Sequence, residues 1–276
     1  MGHLLHAADA ASSDTETITV TLDAFGETVE EDVEVPAGKT TPRRLLPVFQ
    51  SLAETMIERA VAHVAAEGKS ISCERGCTAC CHQLVAVSPM EARTLREIVE
   101  AMPEAEKAAL LARFAAARAR LVEGGLLGRL GDVSWDDDED AYNALTIAYF
   151  ALRIPCPFLG ADGGCTIYDD RPLVCREHLV TTPAKSCANA AAGTVQAVPL
   201  SGQISRGLSN LEPARAGKRA PWTPLPLALE WARAHPEGVP ARTGVQLMQD
   251  FFTAAAQREE KQSKKKGKSK RVDRGR

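Results

Sequence analysis

The chain predicts a mainly α fold (α+β): a helical core that carries cysteine-rich loops, plus a small β-hairpin near the N-terminus. Three observations point there. Alanine is abundant while aromatics make up only 5% of the 276 residues, which favours closely packed helices over a large sheet sandwich. Apolar residues recur at helical spacing in several segments with recognisable start and stop signals. One stretch alone, near the N-terminus, alternates apolar and polar residues.

Taken in order, residues 1–14 are small and polar and are expected to be disordered. The segment TITVTLDAFGETVEEDVEV alternates around Phe25-Gly26 and predicts strands near 16–23 and 28–35, ended by Pro36 and Gly38. A helix follows, capped by Thr41 with Pro42 in its first turn. Leu45, Leu46, Phe49, Leu52, Met56, Ala60 and Val64 form its apolar stripe. Pro47 would delay or kink its start, and Gly68 suits its C-terminal stop. Ser88-Pro89-Met90-Glu91 is a capping-box sequence opening a helix over 89–101. A second helix begins after Pro103 and runs to about 123, where Gly124-Gly125 ends it. A third, with an acidic first turn suited to the helix dipole, runs to about 152, and Pro155 stops it. Beyond Cys187 the sequence reads as irregular until about 223. Two further helices follow, in LPLALEWARAH and TGVQLMQDFFTAAAQREEKQ.

This divides the chain into a disordered N-terminus (1–14), a hairpin and first helix (15–68), a cysteine-cluster domain (69–190), an irregular segment with C-terminal helices (191–260) and a basic disordered tail (261–276). The net charge of −3 conceals a strong asymmetry. Residues 1–40 carry nine acids against Lys39, and residues 261–276 carry nine Lys or Arg against Asp273. The tail could touch nucleic acid or an acidic protein through salt-sensitive contacts, or fold back on the acidic hairpin; a solvated charge run is the plainer expectation. No secretory signal and no apolar run long enough to span a bilayer is visible, so a cytoplasmic protein with no membrane partner is expected.

The eight cysteines carry the chemistry. Their spacing is Cys73-x3-Cys77-x2-Cys80-Cys81, then 74 residues, then Cys156-x8-Cys165-x9-Cys175-x11-Cys187. In a reducing compartment such clusters read as metal ligands before disulfides; as disulfides the eight would allow 105 pairings. A single buried cysteine is often just a small hydrophobe, and Cys187 has the least context. Four cysteines within nine positions, ahead of a capped helix, do not fit core packing. The triad Cys73-x3-Cys77-x2-Cys80 also has the spacing that holds the cluster of radical-SAM enzymes. Those motifs usually carry an aromatic where this chain has Ala79, and they open a β/α barrel that is not visible here.

The second cluster reads CPFLGADGGCTIYDDRPLVCREHL. Together with Cys73, Cys77, Cys80 and Cys81, the matches at Cys156-Pro157-Phe158-Leu159, Gly164-Cys165-Thr166-Ile167-Tyr168, Arg171-Pro172 and Cys175-Arg176 resemble the YkgJ-type cysteine-cluster family (the CxxCxxCC zinc- or iron-chelating domain) over roughly residues 70–190. The resemblance implies metal chelation through all eight cysteines, Cys187 included, and leaves enzymatic activity undetermined. A related branch is similar to flagellin lysine N-methylases, which makes a cluster-dependent methyl transfer the alternative function. No glycine-rich strand–turn–helix of a common SAM-binding fold accompanies it.

Thiolate-only ligation suits zinc and iron–sulfur clusters alike. The loop Cys73–Cys80 would wrap three corners of a cubane with a distant fourth ligand, which favours an iron–sulfur cluster over zinc. If the backbone were extended at Cys80-Cys81, their thiols would point apart and could serve two metals. Gly76 is expected to relieve crowding in the loop. Arg171 and Arg176, on either side of Cys175, could offset thiolate charge, or Arg171 could pair with Asp169 or Asp170. Tyr168 reads as a core aromatic. His82 and His178 stand close to ligand positions as alternative nitrogen donors.

Overall fold

The computed structural model describes residues 15–131, 139–188, 195–212, 222–236, 238 and 240–255. About half of the chain is helical, with a few small antiparallel strand pairs. The expected N-terminal and C-terminal tails and the acidic turn before residue 139 lie outside the described residues.

Strands β1 (Thr15–Ala24) and β2 (Glu27–Pro36) pair antiparallel, with Thr15 opposite Pro36 and Ala24 opposite Glu27. The connection is two residues, Phe25 (φ 55°) and Gly26 (φ 85°). Positive φ at both centres is the geometry whose twist matches a tight hairpin. Phe25 tolerates it because its ring stacks on His63 at 4.1 Å and its N–H donates to Ser201 Oγ at 2.9 Å. Alternation puts Val20, Leu22, Ala24, Val33 and Val35 inward and leaves the other face to threonines and acids.

Thr41 precedes a 3-10 turn, Pro42–Leu45, and the helix proper, α1, is Leu46–Ala66. Pro47 lies in the first turn of α1, so the start is set back from Thr41 as its ring requires. The predicted stripe is buried. Gly68, at φ 76°, closes the helix, with Lys69 N–H donating to Val64 O in a Schellman arrangement.

Helices α2 (Pro89–Glu100) and α3 (Glu104–Glu123) appear where the capping box and Pro103 predict them. Helix α4 is Glu139–Ala151. Short helices α5 (Leu173–Glu177) and α6 (Ala184–Cys187) carry the last two cysteines. The segment expected to be irregular contains α7 (Ile204–Leu211), whose Ile204, Leu208 and Leu211 are buried. Then come α8 (Ala228–Ala234) and a helical stretch, α9, over 244–255. Two two-residue pairings, Lys39–Thr40 with Arg242–Thr243 and Ala86–Val87 with Thr223–Pro224, and the isolated bridge Val180–Ala197 add to the fold.

The core is built across these segments. One apolar cluster joins the hairpin to α1, α5, α7 and α9, with Phe49 against Phe251 at 4.6 Å between ring centres. A second packs α2 and α3 on α8 and on Phe158 and Ile167 of the second cysteine loop. Alanines Ala228 and Ala232 let α8 approach α2 closely. Two arginines of α2 then satisfy carbonyls at the end of α8: Arg93 Nε donates to His235 O at 2.8 Å, and Arg96 Nη1 to Ala232 O at 3.0 Å. Among the described residues no helix is long and apolar enough to cross a membrane.

Candidate metal centre

The first cysteine loop sits between α1 and α2. Its start is sewn to the second cysteine region: Ser72 N–H donates to Val180 O at 2.9 Å and Ser72 Oγ to Thr181 O at 3.3 Å. Gly76 takes φ 92°, a value glycine adopts freely, and Cys77 N–H closes the turn on Glu74 O at 3.0 Å. A second turn follows, with Cys81 N–H on Thr78 O and Gln83 N–H on Cys80 O. The backbone at Cys80-Cys81 is thus a turn rather than extended. The two thiols stay close enough to act on one another.

The second region folds back onto the first. Cys156 N–H donates to Cys81 O at 2.7 Å. Residues 156–166 form a tight loop in which Thr166 N–H and Oγ1 both bond Phe158 O, and Leu159 bridges Cys165. That places Cys156 beside Cys165, both against the α2–α3 core. Cys175 lies on α5, and α5 is anchored by Glu91. One carboxylate oxygen of Glu91 accepts from Leu173 N–H at 2.7 Å; the other accepts Ser88 N–H at 2.9 Å and Ser88 Oγ at 2.7 Å. The capping-box acid of α2 therefore also caps the helix that bears Cys175. Glu177 does the same for α7, accepting from Ser205 N–H and Oγ.

All eight cysteines are free; Cys187 is buried and the other seven are half-buried. Their electrostatic neighbours define how they assemble. Cys187 interacts with Cys73, Cys80 and Cys77, and Cys73 with Cys80 and Cys77. Cys156, Cys165 and Cys175 interact with one another and again with Cys80. The eight form one neighbourhood around Cys80, and Cys187, remote in sequence from the first loop, belongs to its side. Among the described residues, no group of three or more His, Cys, Asp or Glu side chains already has the geometry to hold a metal ion.

Burial pushes the thiols of Cys73, Cys165, Cys175 and Cys187 above the ordinary range and that of Cys156 up to about 12. Cys80 is raised first by the neighbouring Cys81 thiol and then by burial. Neighbouring thiols push the same way, since a second thiolate is disfavoured beside a first. Arg171 opposes this at Cys80 and Cys165. Metal ligation would remove the protons that these effects retain.

The two arginines separate in role. Arg176 is committed to the scaffold, through Glu54 at 2.9 Å, Asp169 O and Arg171 O. Arg171 makes no ion pair with Asp169 or Asp170 among the described residues; its guanidinium lies over the Tyr168 ring at 3.9 Å. Tyr168 is thus a half-buried platform at the site, not a core aromatic. Three buried nitrogens here, His82 Nδ1, Arg171 Nε and His178 Nε2, have no hydrogen-bond partner, and such atoms fit a site that takes a bound group. A cleft of about 700 Å³ opens beside the thiols, with Cys80, Cys175, His178, Gln203 and Arg206 in its wall. Neither the Glu91 link nor the cleft was visible in the sequence; the Ser88–Glu91 box was, but only as a local cap.

Residues 72–191 match the family model described as CxxCxxCC, a "putative zinc- or iron-chelating domain". No curated protein and no solved structure matches the chain.

Proposed function

We propose that the CxxCxxCC domain of this chain binds metal through two four-thiol sets that share a wall. Cys73, Cys77, Cys80 and Cys187 form the first set, and Cys81, Cys156, Cys165 and Cys175 the second. The carrying observation is the shared neighbourhood of the eight cysteines around Cys80. The division follows from Cys187 lying with Cys73 and Cys77, and from the backbone bond that ties Cys156 to Cys81.

The first set is read as an iron–sulfur site. Its three-cysteine loop, turned by Gly76, wraps a cluster face while Cys187 supplies a remote fourth thiolate, the ligand type such clusters use. The cleft whose wall includes Cys80 and Cys175 supports a redox or sensing role, in which a small molecule or reductant approaches the centre, over a purely structural staple.

Anaerobic purification, a visible spectrum and assays of iron, zinc and acid-labile sulfide test this. Iron and sulfide in near-equal amounts with absorption near ~400 nm support the cluster. A colourless protein holding stoichiometric zinc would refute the cluster and retain chelation. Metal-free protein with its cysteines in disulfides would refute both.

A further inference from the structure

The outer face of the hairpin packs against no other element among the described residues. On β2, Glu30, Asp32 and Glu34 are exposed at every second position, opposite Thr21, Thr19 and Thr17 of β1. Alternate residues of a strand are about 6.6–7 Å apart, so the three carboxylates form an evenly spaced row. Threonine hydroxyls donate to two of them, Thr19 Oγ1 to Asp32 at 2.7 Å and Thr15 Oγ1 to Glu34 at 3.4 Å. Among the described residues none of the three has a cation within ion-pair distance, whereas Glu27 reaches Arg59 at 3.7 Å. On the inner face, Glu31 is engaged by Ser51 Oγ and Thr55 Oγ1 of α1. A row of like charges repels itself. The hairpin is also a two-stranded sheet, so each strand has one edge without a ladder partner.

The chain itself carries a matching row. Beyond α9, outside the described residues, Lys264, Lys266, Lys268 and Lys270 recur with the same period of two, and the intervening Gly267 and Ser269 are small. An extended segment with that pattern turns these lysines to one side. The described part of α9 leads toward the hairpin turn. Gly244 opens α9 at the base of the hairpin, where a Cβ on it would lie 2.7 Å from Pro36 O and from Val35 Cβ. Leu247, Met248 and Phe251 then join the hairpin's apolar cluster. Ala255 reaches the cleft whose wall includes Ser201, and Ser201 Oγ accepts from Phe25 N–H in the turn. The stretch from Ala255 to Lys264 can span about 30 Å when extended, enough to round a ribbon whose strands are about 5 Å apart. We propose that Lys264–Lys270 lies extended along β2 of the same chain and sets its alternate lysines against Glu30, Asp32 and Glu34. The outer face of the hairpin is then an intramolecular docking surface for the chain's own basic run, and its occupation shields the β2 edge. The inference is independent of the metal reading.

The test uses full-length, reduced protein, with carbodiimide crosslinking and hydrogen–deuterium exchange both read by mass spectrometry. At low salt, links within one chain should join lysines of 264–270 to Glu30, Asp32 or Glu34, and they should vanish at about 0.5 M salt, where exposed charges are screened. Two variants with equal loss of charge test the register. One combines Lys264→Gln, Lys266→Gln, Lys268→Gln and Lys270→Gln; the other combines Lys261→Gln, Lys265→Gln, Arg271→Gln and Arg274→Gln. Both leave the hairpin and the core untouched. At low salt, amide exchange over residues 27–36 should be roughly fivefold faster in the first variant than in wild type, the size that three exposed ion pairs produce together. The second variant should stay near wild type. Links absent or scattered over other acids would overturn the proposal, as would equal exchange in wild type and the first variant. Equal acceleration by both variants would replace the register with diffuse attraction. Links between chains in a mixture of ¹⁴N and ¹⁵N protein would assign the surface to a second copy. Unprotected 27–36 together with single-stranded DNA binding that needs the same lysines would give the segment to nucleic acid instead.

Discussion

Replacing Glu91 by alanine perturbs the joint between the two cysteine regions. The carboxylate is buried and accepts three hydrogen bonds, from Ser88 N–H, Ser88 Oγ and Leu173 N–H. In Glu91→Ala two backbone donors lose their acceptor inside the protein, at about 1–3 kcal/mol each. The desolvation that raises the Glu91 carboxyl works in the other direction, because the alanine no longer has to bury it. The net expectation is a loss of about 3–4 kcal/mol. The reference is Ser88→Ala, which removes only the cap of α2 and should cost about 1 kcal/mol. Urea unfolding of the reduced, metal-free protein measures both. With a slope of about 2–3 kcal/mol per molar, the Glu91→Ala midpoint should fall by roughly 1–2 M. Glu91→Gln, which keeps one acceptor oxygen, should lie between the two. A Glu91→Ala loss no larger than that of Ser88→Ala would refute the argument, because the link to Leu173 would then contribute nothing.

Three other outcomes follow from the site. Because burial holds protons on the thiols of Cys156, Cys165 and Cys175 at neutral pH, metal must displace them; Co²⁺ affinity should rise with pH and proton release should appear as buffer-dependent heats in calorimetry, whereas a flat profile would contradict it. Cys187→Ser should remove the same metal equivalent as Cys73→Ser and spare the one lost in Cys165→Ser, checked by metal counting on each variant; co-loss with Cys165→Ser would reverse the division of the thiols. Burial raises Glu177 from 4.5 to about 7. Between those values the native protein holds a proton that the unfolded chain has released, so metal-free stability should fall as pH rises across that window, by roughly 3 kcal/mol in all; Glu177→Gln should flatten the slope, and an unchanged slope would assign it to other groups.

Local signals in the chain predicted local structure well. Ser88-Pro89-x-Glu91, the Phe25-Gly26 turn and Gly68 each act within a few residues, and each feature formed where it was expected. Helix α7 escaped notice because its buried residues Ile204, Leu208 and Leu211 are separated by Ser, Arg, Gly and Asn; only packing against α1 and α9 makes that thin stripe sufficient. At the site, the sequence supplied the eight thiols and grouped them by proximity along the chain. It could not supply the chain reversal that brings Cys187 to Cys73 and Cys77, nor the choice between Arg171 and Arg176. Both depend on long-range contacts: the Ser72–Val180 bond sets the first, and the Glu54–Arg176 pair decides the second. The turn at Cys80-Cys81 is subtler. Adjacent cysteines suit either an extended or a turned backbone, and hydrogen bonds to Thr78 O and Cys80 O select the turn.

The cleft wall that includes Cys80 and Cys175 bears on the life history of the centre. A site sealed on every side can be filled only while the polypeptide is still collapsing around it, and damage to it is permanent. Here two of the cysteines lie in the wall of an opening that persists after the core has closed. If these thiols hold metal as proposed, a finished molecule can be charged by a donor, stripped by a chelator or attacked by oxygen through the same doorway, and then be recharged without passing through an unfolded state.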